Sequence, residues 1–435
     1  MNRASSMIKR IRRFFLAPIR RNDPRTRTQR GVALLMVTVT LAVISATTYQ
    51  FVYTAQINHA SAQNSVSELK AHYLARSVIN LTRILLKVQE NVLDRNRAFL
   101  GDIQLTDFIQ MLLPAFFGQG AGLLAGVLGV DSRDIHGLEY KQSYGTATLE
   151  EITSEDGKIN VNCAYVRSDA DPQVQRLAIG LLALIADPRY DILFETPDET
   201  GNYTDRETVV SAIIDYIDAD EAKFAQPTSP EDYGYETRRD PYEAKNNMID
   251  SVKELLMVRG VTDDFWANFG PSLTVYGSCL PNLCAIADDN WVLVASLLFQ
   301  TAMDPQDPVF MDPIRLRALS KAVLQQVKLM GCTDVNTFVA AAKEPMPVSQ
   351  ILESTLGLGS GLVSDEDRII GTLHGIELDP KKVSETIYMG PRRVYRLVAL
   401  GQAGRVTKRI TAVWDQQFHS PSTGRRGGFL YWREE

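Results

Sequence analysis

The sequence predicts an α+β chain in which a long N-terminal helix leads into strands and a large helical block interrupts them. Three observations point there. No Pro or Gly breaks the run from Val32 to Leu100. Strand-like text appears in 144–165 and again in the tail after Arg392. Between them, from Pro172 to about Leu373, apolar residues recur at helical spacing. A helical block inside a strand framework reads as an inserted domain.

The helix begins behind a basic leader. Residues 1–31 hold ten Lys/Arg against one acid, Asp23, and no charged side chain follows Arg30 until Glu68. Val32 to Tyr53 gives about 33 Å of helix at about 1.5 Å per residue, enough to cross a bilayer core. The charge asymmetry predicts a cytoplasmic N-terminus and a body across the membrane. From Leu69 to Val88 the apolar positions Leu69, Tyr73, Leu74, Val78, Leu81, Ile84, Leu85 and Val88 mark an amphipathic face. The second half of residues 32–100 should therefore pack on a globular domain.

Residues 101–136 contain an apolar stretch, Met111 to Val130, with Pro114 and five glycines. We read it as a loop or insertion, since a second spanning helix would return the chain to the cytoplasm. In 137–170, YGTATLEEITSEDGKINVNCAY centres on Asp156-Gly157 and predicts a hairpin. The inserted helical domain covers 171–375, with segments such as QVQRLAIGLLALIA, DSVKELLMVRG and DPIRLRALSKAVLQQVKLM. Strand texture returns in 376–435: RRVYRLVALGQA, RVTKRITAVWDQQF and GGFLYWRE.

Charge limits the function classes. The overall charge is −6 and residues 1–31 carry +9, so the remainder carries −15. So acidic a body does not attract nucleic acid. The sequence contains no nucleophilic triad motif, H-E-x-x-H, P-loop or dinucleotide fingerprint. KELLMVRGVTDDFW (253–266) has the texture of a helix-hairpin-helix, but the acidity favours a structural pair of helices.

Two clusters carry chemistry. IIDYIDADEAKF (213–224) crowds Asp218, Asp220 and Glu221 at the C-terminal end of a helix, with Glu231 and Asp232 following. Carboxylates face the negative end of the dipole there, which a cation would relieve. Bunched oxygen ligands suit calcium; a solvated acidic loop or a metal-dependent hydrolase are the competing readings. The four cysteines are Cys163, Cys279, Cys284 and Cys332. In an exported body disulfides become possible, with three pairings open, and disulfide or free thiol is favoured over a metal site. Cys279 and Cys284, spaced C-x4-C, are the first pair to test. A zinc site would need a second close pair of ligands, and His59, His72, His136, His374 and His419 are scattered.

Several stretches together resemble a known family. Gly31 followed by Val32-Ala-Leu-Leu-Met36 resembles the class III signal of type IV pilin-like proteins. Most such proteins carry Glu at the fifth mature position, where this chain has Met36. That absence, with AHYLARSVINLTRILL (71–86), GKINVN (157–162), IIDYIDADE (213–221), ELLMVRGVTDDFW and PSLTVYG (254–277), and the tail, is similar to the K-type minor pseudopilins of type II secretion systems (the GspK family). The long leader, which leaves Met7 as an alternative start, and the glycine-rich 111–130 depart from that pattern.

The resemblance implies a type IV pilin-like fold, the long helix packed on an antiparallel sheet carrying the inserted helical domain. It implies cleavage after Gly31 by a prepilin peptidase, with methylation of Val32. It implies calcium on Asp218, Asp220, Glu221, Glu231 and Asp232, and no catalysis. The implied partners are the I- and J-type minor pseudopilins, the major pseudopilin filament and the inner-membrane assembly platform. The expected location is the inner membrane, single-pass, with a periplasmic body. The alternative reading is an uncleaved signal-anchored periplasmic binding or tethering protein.

Overall fold

The computed structural model describes residues 24–96, 104–114, 145–166, 170–195, 204–224, 235, 240–332, 334–356, 364–419 and 426–435. The chain divides into two compact units, Met1–Ser67 and Glu68–Glu435. Helix α1 runs Pro24–Val88 and continues as a π-turn, Gln89–Leu93, and a 3₁₀ turn, Asp94–Asn96. It is the one helix among the described residues long and apolar enough to cross a membrane, over Val32–Leu93. The glycine-rich 115–136 lies outside the described residues.

In the second unit, α1 buries Ala71, Leu74, Ala75, Val78, Ile79 and Leu86, a stripe at three- and four-residue intervals. The stripe packs on one face of a four-stranded sheet of β1 (Thr146–Ser154), β4 (Val394–Ala403), β5 (Val406–His419) and β6 (Arg426–Glu434). The order is β1-β4-β5-β6, and every pair is antiparallel. Side chains alternate, so Tyr395, Leu397, Ala399, Ile410, Ala412 and Trp414 face the helix. The close approach requires Gly401, where a Cβ would stand 2.0 Å from the Ala71 carbonyl oxygen. A short helix, α2 (Leu105–Pro114), lies along β1, with Gln110 donating to the Glu150 carbonyl and Ile109 buried in the same core.

The strands β1 and β4 are neighbours although the helical body intervenes, so that body is an insertion between them. Its core gathers α3 (Pro172–Leu184), α5 (Arg206–Asp215), α6 (Asp263–Phe269), α7 (Trp291–Thr301), α8 (Pro313–Leu329) and α9 (Val335–Lys343); α4 is Asp191–Glu195. Shorter helices α10 (Val348–Leu356), α11 (Asp365–Ile370) and α12 (Pro380–Thr386) follow. Asp and Thr caps start most of these helices, as at Asp171, Asp205, Thr262 and Asp312.

Three expectations are corrected. Residues around Asp156-Gly157 do not close a hairpin. The run after them, β2 (Ile159–Asn160), pairs in parallel with β3 (Leu273–Thr274) inside the insertion. The turn is diverted because the Asp156 carboxylate accepts the backbone N–H groups of Arg393 and Val394, and Gly157 lies against the Ala285 backbone. The segment KELLM forms a 3₁₀ turn, Val252–Met257, closed at its start by the Ser251–Glu254 capping box.

Cys279 and Cys284 do not bond to each other. The disulfides are Cys163–Cys279 and Cys284–Cys332. Cys279 lies in an exposed turn, whereas Cys284 is buried in the 3₁₀ turn Leu283–Ala285. Asn282 between them is pinned, its N–H to the Asp156 carbonyl and its amide to the Gly390 carbonyl. That anchor directs the two sulfurs to different neighbours.

Candidate functional site

Three regions hold the residues of interest. The first is the N-terminal half of α1. Gly31 lies in the helix, and Val32 through Val66 are all exposed, Met36 at 63%. The hydroxyls of Thr38, Thr40, Thr47 and Thr54 donate to carbonyls three or four residues back in the helix. Such bonding removes polar cost in hydrocarbon, where no water can serve those groups. Tyr49, Phe51 and Tyr53 cluster toward one end of the apolar run, a position suited to a membrane interface. Position 36 places a neutral thioether in this surface.

The second region is the acidic loop after α5. Asp215 ends the helix buried, and its carboxylate accepts the Phe224 N–H at 2.6 Å, which folds the loop back on the helix. Asp218 is also buried. Asp220 accepts the Ala222 N–H through its side chain and the Asn246 amide through its carbonyl, while Glu221 is exposed. Asn246 holds φ 46 and donates its N–H to the Tyr216 carbonyl. Its Oδ1 is buried and has no hydrogen-bond partner among the described residues. Glu231 and Asp232 lie outside the described residues. Among the described residues no three His, Cys, Asp or Glu side chains converge on a metal position.

The third region, which sequence reasoning missed, is the polar junction between sheet and insertion. Glu155 is fully buried. It receives Arg396 Nε at 2.6 Å, Lys158 Nζ at 3.1 Å and the Thr274 hydroxyl. Burial pushes its carboxyl up, but Lys158, Arg396 and the Thr274 hydroxyl together outweigh burial and hold it below the usual range. For Asp156 burial wins over the bonds from Val394 and Arg393, and its carboxyl is raised. Arg393 in turn makes a two-bond pair with Asp415, at 3.0 and 2.9 Å. Sequence reading places Arg393 and Arg396 only within the strand text RRVYRLVALGQA.

Residues 157–278 match the family model of Type II secretion system (T2SS), protein K. This stretch is similar to that family. It starts at the diverted turn, contains the acidic loop and ends beside Cys279, so it occupies the first part of the insertion. A chain of the crystal structure of the GspK-GspI-GspJ complex from the enterotoxigenic Escherichia coli type 2 secretion system is similar at 14% identity. The match covers 67% of this chain and 80% of that chain, with a TM-score of 0.42. No curated protein matches.

Proposed function

We propose that the chain is a K-type minor pseudopilin of the type II secretion system, a non-catalytic subunit of the tip complex of the periplasmic pseudopilus. The observation that carries this reading is the position of the stretch similar to protein K. It opens the insertion between β1 and β4 of a sheet seated on a long helix whose first half is apolar and bare. In the proposed cycle the N-terminus is cytoplasmic, a prepilin peptidase cuts after Gly31, and Val32 is methylated. The subunit then leaves the inner-membrane assembly platform with I- and J-type partners, above the major pseudopilin filament.

Met36 gives the tip assignment a physical basis. A carboxylate at that position would need a cationic neighbour in hydrocarbon, and an unpaired one is expensive there. The topmost subunit lacks one neighbour, so an apolar residue avoids that cost. The insertion adds bulk that obstructs a further subunit. Intact mass and N-terminal sequencing of the membrane-extracted protein should give methylated Val32, and I- and J-type subunits should copurify with it. An unprocessed N-terminus starting at Met1 or Met7 would rule the reading out.

We also propose calcium at the acidic loop. The donors are hard oxygens, from Asp218, Asp220 and Glu221, with Glu231 and Asp232 from the following segment, and the buried Asn246 Oδ1 adds an oxygen that lacks a described partner. Bound calcium would tie the loop to the insertion and neutralise its charge. EDTA should lower the melting temperature of the protein by several degrees, calcium should restore it, and Asp218→Ala should abolish that response. An unchanged melting curve would remove calcium without touching the pseudopilin reading.

A further inference from the structure

The part of α1 that packs on the sheet carries charge of one sign. From Leu69 to Gln89 it holds Lys70, Arg76, Arg83 and Lys87 and no acid, although residues 32–435 together carry −15. Arg76, Arg83 and Lys87, seven and four residues apart, share one side of the helix. Among the described residues none of these three makes an ion pair. The neighbouring carboxylates are committed elsewhere, Glu68 to Lys408 and Glu434 to His72. Glu90, in the π-turn, is the next acid along the helix.

Arg83 is the half-buried member of this ridge. Its guanidinium carbon stands 3.9 Å from the Trp414 ring centroid and 4.9 Å from that of Phe429. Asn80 Oδ1 accepts from its Nη1 at 3.1 Å. Its Nε is buried without an acceptor among the described residues, and so is Nε1 of the Trp414 ring it covers. The spot is rich in donors and short of acceptors. Burial lowers the Arg83 pKa, and no carboxylate opposes that shift. The rings fix the guanidinium fork and keep water from part of it, so a carboxylate reaching its open edge would bind strongly. In the free chain the same group is a desolvated charge without a counter-charge, a cost to stability that contact with a partner would offset. Leu69, Tyr73, Ile84 and Val88 are exposed on α1 beside the cations. A small free anion would leave them bare, whereas a protein surface covers them.

We propose that Arg83 receives an acidic side chain of a partner subunit, with Arg76 and Lys87 flanking the contact. The choice of partner rests on the pseudopilin reading and is the I- and J-type pair. The test titrates the full chain in detergent with that purified pair, read by biolayer interferometry. Arg83→Met should weaken binding by about tenfold and flatten its salt dependence. Its melting temperature should stay at the wild-type value, because Met keeps an unbranched side chain on the rings and no ion pair is lost. Arg83→Lys, which retains the charge, should recover part of the affinity, and Lys382→Glu, exposed on α12, should bind as the wild type does. Wild-type affinity in Arg83→Met overturns the inference and leaves the pseudopilin reading standing. A lowered melting temperature in Arg83→Met that accounts for its lost binding also overturns it, making Arg83 a packing residue. Failure of the wild-type chain to bind the pair overturns both.

Discussion

The sheet and the insertion it carries are stabilised by different means. The sheet core is one apolar layer, sealed by the second half of α1 and free of cysteine, with Trp414 and Tyr395 its largest buried side chains. The insertion packs a larger core of short helices and adds two disulfides, Cys163–Cys279 and Cys284–Cys332. Short helices joined by long loops have little stability of their own, so cross-links that limit the unfolded chain count for more there. The sheet holds its strands through antiparallel ladders and needs no such staple. The difference teaches where each part will fail: the sheet by loss of packing, the insertion by loss of cross-linking.

The largest effect should come from the sheet. Trp414→Ala removes a fully buried ring that also meets Phe429 edge to face and whose centroid lies 3.9 Å from the Arg83 guanidinium carbon. We expect a loss of about 3–5 kcal/mol, with proteolysis first cutting the strands while both disulfides stay intact by mass spectrometry. Cleavage beginning in the insertion would break the comparison. Next, the double variant Cys284→Ala/Cys332→Ala opens a loop of 48 residues. It should cost about 2–4 kcal/mol and loosen the insertion alone, so hydrogen exchange should rise in α7 and α8 and stay slow in β4 and β5. Equal loosening of the strands would mean the two cores unfold as one.

Much of this contrast was legible in the sequence, and the reason is local. The absence of Pro and Gly from Val32 to Leu100 marks the long helix, and the alternating VYRLVAL and RITAVWD mark β4 and β5. The helices of the insertion show their caps and periodicity directly. What local text cannot encode is which distant segment completes each element. β1 pairs with a strand that follows the whole insertion, so Asp156-Gly157 carries the text of a hairpin without forming one. Cys279 and Cys284 are close in sequence but are turned to Cys163 and Cys332 by the anchoring of Asn282. The acidic loop was found by composition, yet the role of Asn246 beside it depends on a backbone that returns from elsewhere in the chain. The Glu155–Asp156 junction was invisible for the same reason, since the backbone N–H of Arg393 and the guanidinium of Arg396 come from the far side of the insertion.

That junction joins the two regions and yields the smallest, sharpest test. Asp156 uses one carboxylate oxygen to accept two backbone N–H groups of the strand that resumes the sheet. Asp156→Ala leaves both donors buried without an acceptor and should cost about 1–3 kcal/mol. Asp156→Asn keeps an oxygen for them and should cost less than the alanine variant. The pH dependence separates charge from geometry. Burial raises the Asp156 carboxyl above 3.8, so the folded state holds this proton more tightly than the unfolded chain does. Its contribution to stability is therefore complete below 3.8 and declines as pH rises through the raised value. Glu155 has the opposite sign: its pairing with Lys158 and Arg396 stabilises above 4.5 and is lost as pH falls through its lowered value. Of the two groups, Asp156 is the one whose contribution grows as pH falls. The wild-type protein should gain stability relative to Asp156→Asn as pH is lowered from 7 toward 3.8, where Glu155 is common to both proteins and cancels, measured by denaturant titration. A gap that widens in favour of the asparagine variant instead would mean the two N–H groups hold Asp156 ionised, and that the junction is a charged clasp with no protonatable member.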